Sequence, residues 1–246
     1  MLHFAVIGCP ISHSLSPEIY APLFEKHGVD ADFRRLLVVP AELPRLRVLT
    51  EGLSGFAVTM PHKRAIIRYL DGLSETASAC GAVNIVAAEN GRLIGHNTDG
   101  GGLADSLSDS GFRFPGSRAV ILGRGGAALS AAHALKERGA AVTLLVRDLR
   151  GGHSFPEALI DEASQLPPAD ILINASPLGM KGAGEFPIRL LDALRPDAVF
   201  DMVYRRGGDT ALIAEAKLRG LIALPGGAML KAQALRAFKI WFGIDP

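Results

Sequence analysis

A glycine-rich turn between an apolar strand and a helix constrains this chain more than any other feature. Arg118–Leu122 is an apolar stretch of the kind that parallel sheets bury on both faces. Gly123-Arg124-Gly125-Gly126-Ala127-Ala128 follows it and opens a predicted helix through about Arg138. The first glycine permits the tight turn, the second lets backbone approach a pyrophosphate, and the helix N–H groups face phosphate. An ordinary strand–helix turn is the alternative, but the flanking elements favour a dinucleotide-binding unit.

The rest of the second half alternates strands and helices. We predict further strands at 141–146, 171–174, 198–202 and 221–224, which is the pattern of a doubly wound parallel sheet. The first half is also α/β, with a hairpin across Asn90-Gly91 and a helix that Ser16 caps and Pro17 begins. Gly100–Gly102 is a predicted hinge, and a linking helix follows from Leu103 to Ser110. We therefore predict two domains, 1–101 and 102–226, with a terminal helix in 227–246 packing back on the first.

Composition narrows the classes of function. Of 246 residues, 48% are apolar and 21% are charged, which supports a buried core and argues against disorder. The net charge of +1 predicts neither a nucleic-acid partner nor an acidic membrane. Cys9 and Cys80 are expected to be free thiols in a reducing cytosol, and no metal site is predicted at them. The N-terminus does not resemble a signal peptide, and no apolar run approaches a membrane span of about 18 residues, so we expect a cytoplasmic protein.

The end of the second nucleotide-domain strand bears on cofactor choice. Val146 is followed by Arg147, Asp148, Leu149 and Arg150. A carboxylate at this position usually holds the ribose diol of NAD, whereas a cation accommodates the 2′-phosphate of NADP. Both signs occur here, so Arg147 and Arg150 favour NADP while Asp148 keeps NAD open. A solvated charged loop is the alternative.

The first half contains candidate groups for acid/base chemistry. Lys63 follows the predicted strand that ends at Val58, and Asp99 lies in the polar segment Asn97-Thr98-Asp99. An amine and a carboxylate beside a nicotinamide suit hydride transfer, because the reacting oxygen must gain or lose a proton. The hydroxyl groups of the Ser12–Pro17 segment, at a helix start, suit a carboxylate, although plain helix capping by Ser16 explains them equally well.

Taken together, the motifs resemble those of the shikimate dehydrogenase family. They occur in the family's order along nearly the whole chain, and the ordered set is far more specific than the glycine turn alone. The matching segments are Ser12–Pro17, Val58-Thr59-x-Pro61-x-Lys63, Gly81-Ala82-Val83-Asn84, Asn97-Thr98-Asp99-Gly100, Gly123-x-Gly125-Gly126-Ala127, Asn174-Ala175-Ser176-x-x-Gly179-Met180, Asp201-Met202-Val203-Tyr204 and Leu230-x-x-Gln233-Ala234.

The resemblance implies NADP-linked, reversible reduction of 3-dehydroshikimate to shikimate in chorismate and aromatic amino-acid biosynthesis. Domain 1–101 with 227–246 would then bind substrate and hold the catalytic pair, Lys63 and Asp99, and domain 102–226 would bind NADP in a Rossmann-like fold. The remaining substrate-binding residues implied are Ser14, Ser16, Thr59, Asn84, Tyr204 and Gln233. The cofactor-binding residues implied are Gly123, Gly125, Gly126 and Ala127 at the pyrophosphate, Arg147 and Arg150 at the 2′-phosphate, and Met202 and Gly226 near the nicotinamide.

Several positions depart from the family pattern. Ala57 and Val146 replace asparagines, and Tyr20-Ala21 replaces a common His-Asn pair. The segment between Arg147 and Asp170 is short, with room for one helix at about 156–166. The alternatives are a quinate/shikimate or aminoshikimate dehydrogenase that uses NAD or NADP, and a cofactor-binding relative without turnover. For the assembly we expect a monomer or homodimer.

Overall fold

The structure, a computed structural model, describes residues 1–205 and 207–246. The chain divides into two compact units: Met1–Gly102 with Lys231–Pro246, and Leu103–Leu230. Each unit is built on its own six-stranded sheet with flanking helices, which agrees with the predicted α/β class. No helix in the described part of the chain has the length and apolarity needed to cross a membrane.

The sheet of the first unit is mixed and has the order β2-β1-β3-β5-β6-β4. β1 runs parallel to both β2 and β3, whereas β5 is antiparallel to β3 and β6. The predicted Asn-Gly hairpin is confirmed: Asn90 and Gly91 have φ values of 50° and 75°, the left-handed pair that a two-residue hairpin turn needs. The strands are β1 (Leu2–Gly8), β2 (Ala31–Leu37), β3 (Gly55–Val58), β4 (Gly72–Leu73), β5 (Ile85–Glu89) and β6 (Arg92–His96).

Helices connect these strands, and the last helix of the chain returns to them. The α-helices are α1 (Ser16–Lys26), α2 (Leu46–Leu49), α3 (His62–Ala65), α4 (Glu75–Cys80), α5 (Asp99–Asp109) and α9 (Gly227–Phe242), the last numbered in chain order. Shorter 3-10 helices occupy Pro40–Arg45 and Ile66–Tyr69. The sequence analysis missed α4, whose N-cap Ser74 accepts a hydrogen bond from the backbone N–H of Ala77.

Gly100–Gly102, predicted as a hinge, form the first turn of α5, and the boundary between the two compact units falls directly after Gly102. They serve close packing against α9. A Cβ added to Gly102 would lie 2.7 Å from the backbone nitrogen of Gln233, and one on Gly101 would lie 2.8 Å from the Arg236 guanidinium. Small residues at these positions therefore let the start of α5 lie directly against the terminal helix.

An aromatic cluster joins α1 and α9 to one face of the first sheet. Tyr20 stacks on Phe33 with ring centroids 4.5 Å apart, and Trp241 lies 5.1 Å from Tyr20. Trp241 Nε1 donates to the Val86 carbonyl oxygen at 3.1 Å, which ties α9 to β5. Tyr20 is fully buried, its hydroxyl has no hydrogen-bond partner among the described residues, and burial raises its pKa. This is how the chain fills the position where the family usually has histidine.

The sheet of the second unit is parallel throughout, with the order β12-β11-β10-β7-β8-β9. The predicted strands at 118–122, 141–146 and 171–174 are confirmed at both ends. The strands are β7 (Arg118–Leu122), β8 (Ala141–Val146), β9 (Glu157–Leu159), β10 (Ile171–Asn174), β11 (Ala198–Asp201) and β12 (Ile222–Pro225). The α-helices are α6 (Gly126–Glu137), α7 (Arg189–Leu194) and α8 (Ala211–Leu218).

The predicted helix at 156–166 is wrong. Its place is taken by β9, which pairs in parallel with β8, and by a 3-10 helix at Ile160–Gln165. Residues 147–156, all of them described, contain no helix and form an irregular connection. The short segment therefore contains β9, the sixth strand of the sheet, but no α-helix between β8 and β9. Cys9 and Cys80 are free thiols, as predicted.

Candidate functional site

A lysine and an aspartate form a close, mostly buried ion pair in the first unit. Lys63 Nζ lies 2.6 Å from Asp99 Oδ2, and the two side chains are 19% and 5% exposed. Lys63 comes from α3, just after β3, and Asp99 is the first residue of α5. The positive end of α5 favours a carboxylate there. The pair provides an amine that can carry a proton and a carboxylate that orients the amine.

Two amide side chains extend this pair into a polar cluster. Asn84 Nδ2 lies 3.0 Å from Asp99 Oδ1 and 2.8 Å from Gln233 Oε1. Asn84 Oδ1 accepts from the Thr98 backbone N–H at 2.8 Å, so the amide orientation is set from both of its ends. Four residues predicted from distant parts of the chain, Lys63, Asn84, Asp99 and Gln233, therefore meet at one place.

Backbone hydrogen bonds hold the segment that carries Lys63. The Lys63 carbonyl oxygen accepts from the Val83 N–H at 2.7 Å. The fully buried His62 ring bonds the Val38 carbonyl oxygen through Nε2 at 2.6 Å. Ala57, where the family usually has asparagine, lies inside β3 and is paired on both sides. The anchoring comes from main-chain and His62 contacts beside that position.

The two serines predicted to bind a carboxylate lie side by side. Ser14 Oγ is 3.1 Å from Ser16 Oγ, and both residues are buried. The predicted capping by Ser16 is wrong: α1 begins at Ser16, its N-cap is Leu15, and no side chain caps it. Arg35 instead secures the segment, donating to the Ser14 carbonyl oxygen from Nη2 at 2.6 Å and from Nε at 2.9 Å. Glu18 pairs with the same guanidinium at 2.6 Å. Ser14 Oγ donates to Ser16 Oγ and accepts from the Ser16 N–H at 3.3 Å, so the Ser16 hydroxyl keeps its own hydrogen for a further acceptor.

The glycine turn of the second unit has the features that a pyrophosphate requires. Gly123 has φ +118°, a conformation that side chains disfavour, and its Cβ would lie 3.3 Å from the Ala175 carbonyl oxygen. Gly125 is the N-cap of α6 and has no side chain to accept from the helix N–H groups. The first turn of α6 contains no acidic residue. The residues present therefore fit an anionic dinucleotide at the positive end of α6.

The other predicted cofactor residues lie at the same edge of this sheet. Because all six strands are parallel, their carboxyl ends meet at one edge, and the strand order reverses at β7, between β10 and β8. Dinucleotides bind at such a reversal. Arg147 and Arg150 follow β8 and Met202 follows β11. Gly226 follows β12, and its Cβ would lie 2.6 Å from the Asp201 carbonyl oxygen, so the two strand ends pack backbone to backbone.

A fully buried carboxylate organises the β10 and β11 ends. Asp201 accepts from Thr210 Oγ1 at 2.6 Å and from Asn174 Nδ2 at 2.9 Å. Burial raises the pKa of Asp201, and the hydrogen bonds from Thr210, Val203 and Asn174 oppose that rise. These bonds fix the segment that contains Met202. The sequence analysis quoted Asp201 only as part of a matching motif and did not name Thr210, although a carboxylate ending a buried strand is the signal that points to such a network.

The known proteins that this chain is similar to are shikimate dehydrogenases. The family model described as the shikimate dehydrogenase substrate binding domain matches residues 6–86. A shikimate dehydrogenase (NADP(+)) from Rubrobacter xylanophilus is 40% identical, over 98% of this chain and 90% of that protein. The chain belongs to the shikimate dehydrogenase family.

Solved structures of shikimate dehydrogenases share the fold. The Thermus thermophilus shikimate 5-dehydrogenase in complex with NADP(H) and shikimate is 34% identical with a TM-score of 0.87, covering 100% of this chain and 95% of that chain. The Listeria monocytogenes shikimate 5-dehydrogenase in complex with shikimate and NAD is 30% identical with a TM-score of 0.83, covering 100% and 93%. Both confirm the predicted two-domain, Rossmann-type fold class of the shikimate dehydrogenases.

The residues predicted from the shikimate dehydrogenase motifs fall in both units. The first unit contains those predicted for substrate and catalysis, Ser14, Ser16, Thr59, Lys63, Asn84, Asp99 and Gln233. The second unit contains Tyr204, in the segment after β11, together with all the predicted cofactor residues. Sequence reasoning missed Arg35, whose hydrogen bonds to the Ser14 carbonyl oxygen have no local sequence signal.

Proposed function

We propose that this protein interconverts shikimate and 3-dehydroshikimate reversibly with NADP, a step of chorismate and aromatic amino-acid biosynthesis. The observation that carries the proposal is the cluster of Lys63, Asp99, Asn84 and Gln233. It provides a proton carrier and fixed hydrogen-bonding groups for a hydroxylated ring. Membership of the shikimate dehydrogenase family and curated relatives named shikimate dehydrogenase (NADP(+)) support it.

The proton chemistry is assigned to Lys63. In the direction of oxidation the amine takes the proton of the reacting hydroxyl, and in reduction it returns that proton to the carbonyl oxygen. Asp99, 2.6 Å away, orients the amine and accepts from a neighbouring substrate hydroxyl. NADP, when bound, supplies or accepts the hydride. Asn84 holds Asp99 in place from the side opposite Lys63.

Substrate recognition is assigned to the hydroxyl and amide groups of the first unit. Ser14 and Ser16 bind the substrate carboxylate: Ser16 Oγ accepts from Ser14 Oγ at 3.1 Å and donates its own hydrogen to the carboxylate, while Arg35 secures the segment through the Ser14 carbonyl oxygen. Thr59, Asn84 and Gln233 hold the ring and its hydroxyl groups, and Tyr204 adds a phenolic hydroxyl. In this assignment residues 1–101 with 227–246 form the substrate domain, and residues 102–226 form the NADP domain.

The cofactor is assigned to the carboxyl edge of the second sheet. Gly123, Gly125, Gly126 and Ala127 accommodate the pyrophosphate at the start of α6. Arg147 and Arg150 provide positive charge for the 2′-phosphate, and Met202 and Gly226 line the nicotinamide site.

Initial rates of nicotinamide reduction test the proposal, with shikimate and quinate each crossed with NADP and NAD. We expect turnover with shikimate and NADP to exceed the other three combinations. Faster turnover with quinate would transfer the assignment to a quinate/shikimate dehydrogenase. Binding of NADPH without turnover of either acid would identify a cofactor-binding relative.

A further inference from the structure

The arginine inside the glycine motif reaches the end of the neighbouring strand. Arg124 lies between Gly123 and Gly125, and its side chain is only 21% exposed. Its Nη1 donates to the Asp148 carbonyl oxygen at 2.5 Å, and its Nη2 donates to Asp148 Oδ1 at 2.7 Å. The guanidinium therefore lies just beyond the end of β8, where dinucleotide-binding folds recognise the ribose 2′ substituent.

A second guanidinium converges on the same carboxylate. Arg150 Nε donates to Asp148 Oδ2, while Oδ1 is occupied by Arg124. Asp148 thus bridges two cations with its two oxygens, and its side chain is 49% exposed. A phosphate monoester has the same complementarity to paired guanidinium groups, with more charge and one more acceptor oxygen.

Glu157 fixes the loop that contains Arg150. Its side chain is 6% exposed and accepts from the backbone N–H groups of Arg150 at 2.9 Å and Gly151 at 3.1 Å. It also bonds His153 Nε2 at 2.9 Å and lies 3.4 Å from Arg124 Nη1. The irregular connection that replaces a helix here is therefore built around one buried carboxylate, which fixes the loop beneath Arg124 and Arg150.

We propose that Arg124 binds the 2′-phosphate of the cofactor, and that Asp148 competes with this phosphate for Arg124 and Arg150. Asp148 then sets the preference between NADP and NAD. This inference rests on the proposed function; the family motifs assign Arg150 to the 2′-phosphate but assign neither Arg124 nor Asp148. Arg124 and Arg150 pair with Asp148, Arg124 also pairs with Glu157, and Arg147 follows β8 beside Asp148 in the sequence. Loss of the Asp148 charge therefore raises the net charge of these five side chains from +1 to +2.

Two small probes isolate the phosphate contribution. Adenosine 2′,5′-bisphosphate and AMP differ only by the 2′-phosphate, and calorimetric titration of the full chain with each gives a ratio of dissociation constants. For Asp148→Asn we expect the bisphosphate to bind several-fold more tightly and AMP no more tightly. For Arg124→Met we expect the bisphosphate to bind on the order of tenfold more weakly, from the loss of a charged hydrogen bond, and AMP to change by less than about twofold.

Matched variants separate recognition from folding. Asp161→Asn removes a carboxylate of the same unit that pairs with Arg189 at 2.7 Å on an exposed surface, and we expect it to leave both dissociation constants unchanged. Arg124→Lys keeps the charge without the planar fork and should lie between the parent and Arg124→Met. If Arg124→Met does not fold, Arg124→Lys decides the question.

Several results would overturn the inference. Equal weakening of AMP and the bisphosphate by the Arg124 variants would make Arg124 a structural residue of the turn. Unchanged or weaker bisphosphate binding in Asp148→Asn would show that Asp148 does not compete with the 2′-phosphate. Turnover of shikimate is measured on the same wild-type preparation. Turnover without discrimination between the probes refutes this inference alone, whereas discrimination without turnover refutes the proposed function alone.

Discussion

Replacement of Lys63 by methionine should reduce both activity and stability, for different reasons. Methionine leaves the Asp99 carboxylate, 5% exposed, without its cation. Removing one partner of a fully buried ion pair costs about 3–5 kcal/mol, and because Lys63 is itself 19% exposed and solvent screens the pair we expect less than that, about 2–3 kcal/mol. For a chain of this size each kcal/mol lowers Tm by about 2–4 °C, so Tm should fall by about 4–12 °C.

A second substitution separates the two effects. Asp99→Asn in the Lys63→Met background removes the unpaired charge while keeping the shape and an acceptor for Asn84. We expect Tm to return to within a few degrees of the parent. The kcat for shikimate oxidation should stay reduced by about 10²–10⁴ in both variants, because the proton carrier is absent.

Thermal unfolding followed by intrinsic fluorescence and initial rates at saturating shikimate and NADP measure the two quantities. Lys239→Met is the matched control: Lys239 pairs with Asp245 at 2.5 Å, but the side chains are 58% and 81% exposed. An exposed pair contributes about 0–1 kcal/mol, so this control should change neither Tm nor kcat appreciably. A double variant no more stable than Lys63→Met would contradict the buried-pair argument. A kcat for Lys63→Met within a fewfold of the parent would contradict the catalytic assignment.

Three further predictions concern single side chains. Tyr20→Phe removes a buried hydroxyl that has no hydrogen-bond partner among the described residues, so the free energy of unfolding should rise by about 1 kcal/mol and Tm should rise with it, whereas a lower Tm would indicate a missed partner. Arg35→Met should raise the KM for shikimate and leave the KM for NADP unchanged, since Arg35 holds the Ser14 carbonyl; equal rises would indicate general loosening. Hydrogen bonds, led by that from the Gly151 N–H, lower the pKa of Glu157 from 4.5 to about 2. Its stabilisation is therefore present above pH 4.5 and lost as the pH falls towards 2, so the Tm difference between parent and Glu157→Gln should shrink over that interval, and a constant difference would contradict this.

Much of the second unit could be predicted because its local signals are strong. The β7, β8 and β10 boundaries follow from continuous apolar runs that end at turn residues, and a buried parallel strand admits few other readings. The glycine turn was recognisable because its backbone demands are local: Gly123 has φ +118° and Gly125 precedes a helix.

The errors occurred where local pattern and tertiary packing disagree. Three consecutive glycines were predicted to form a hinge, yet they form the first turn of α5. Gly102 has no side chain there because α9 approaches too closely for one. Ser16 was predicted to cap α1, yet it lies inside the first turn of that helix and its hydroxyl accepts from Ser14 Oγ. The segment at 156–166 read as a helix, yet Glu157 begins a strand and its side chain bonds the preceding loop.

The candidate site was also only partly predictable. The functional groups of the site, namely an amine, a carboxylate, two amides and two serine hydroxyl groups, could be identified in the sequence through its resemblance to one family. The distances between these groups could not be predicted, because Lys63 and Gln233 are brought to one place by a mixed sheet and by a terminal helix from the far end of the chain. The ion pairs of Arg124 were also invisible, since a charge inside a glycine motif does not reveal which strand end it reaches.

The α/β class, the nucleotide turn and the residue types of the candidate catalytic cluster could be predicted from the sequence, because they depend on local backbone preference and on side-chain chemistry. The folded chain was needed to show that Asp99 contacts both Lys63 and Asn84, that Arg35 secures Ser14, and that Asp148 joins two arginines. Those arrangements depend on contacts between segments far apart in the chain, and the low dielectric constant of the protein interior makes the buried hydrogen bonds and ion pairs stronger than they would be in water.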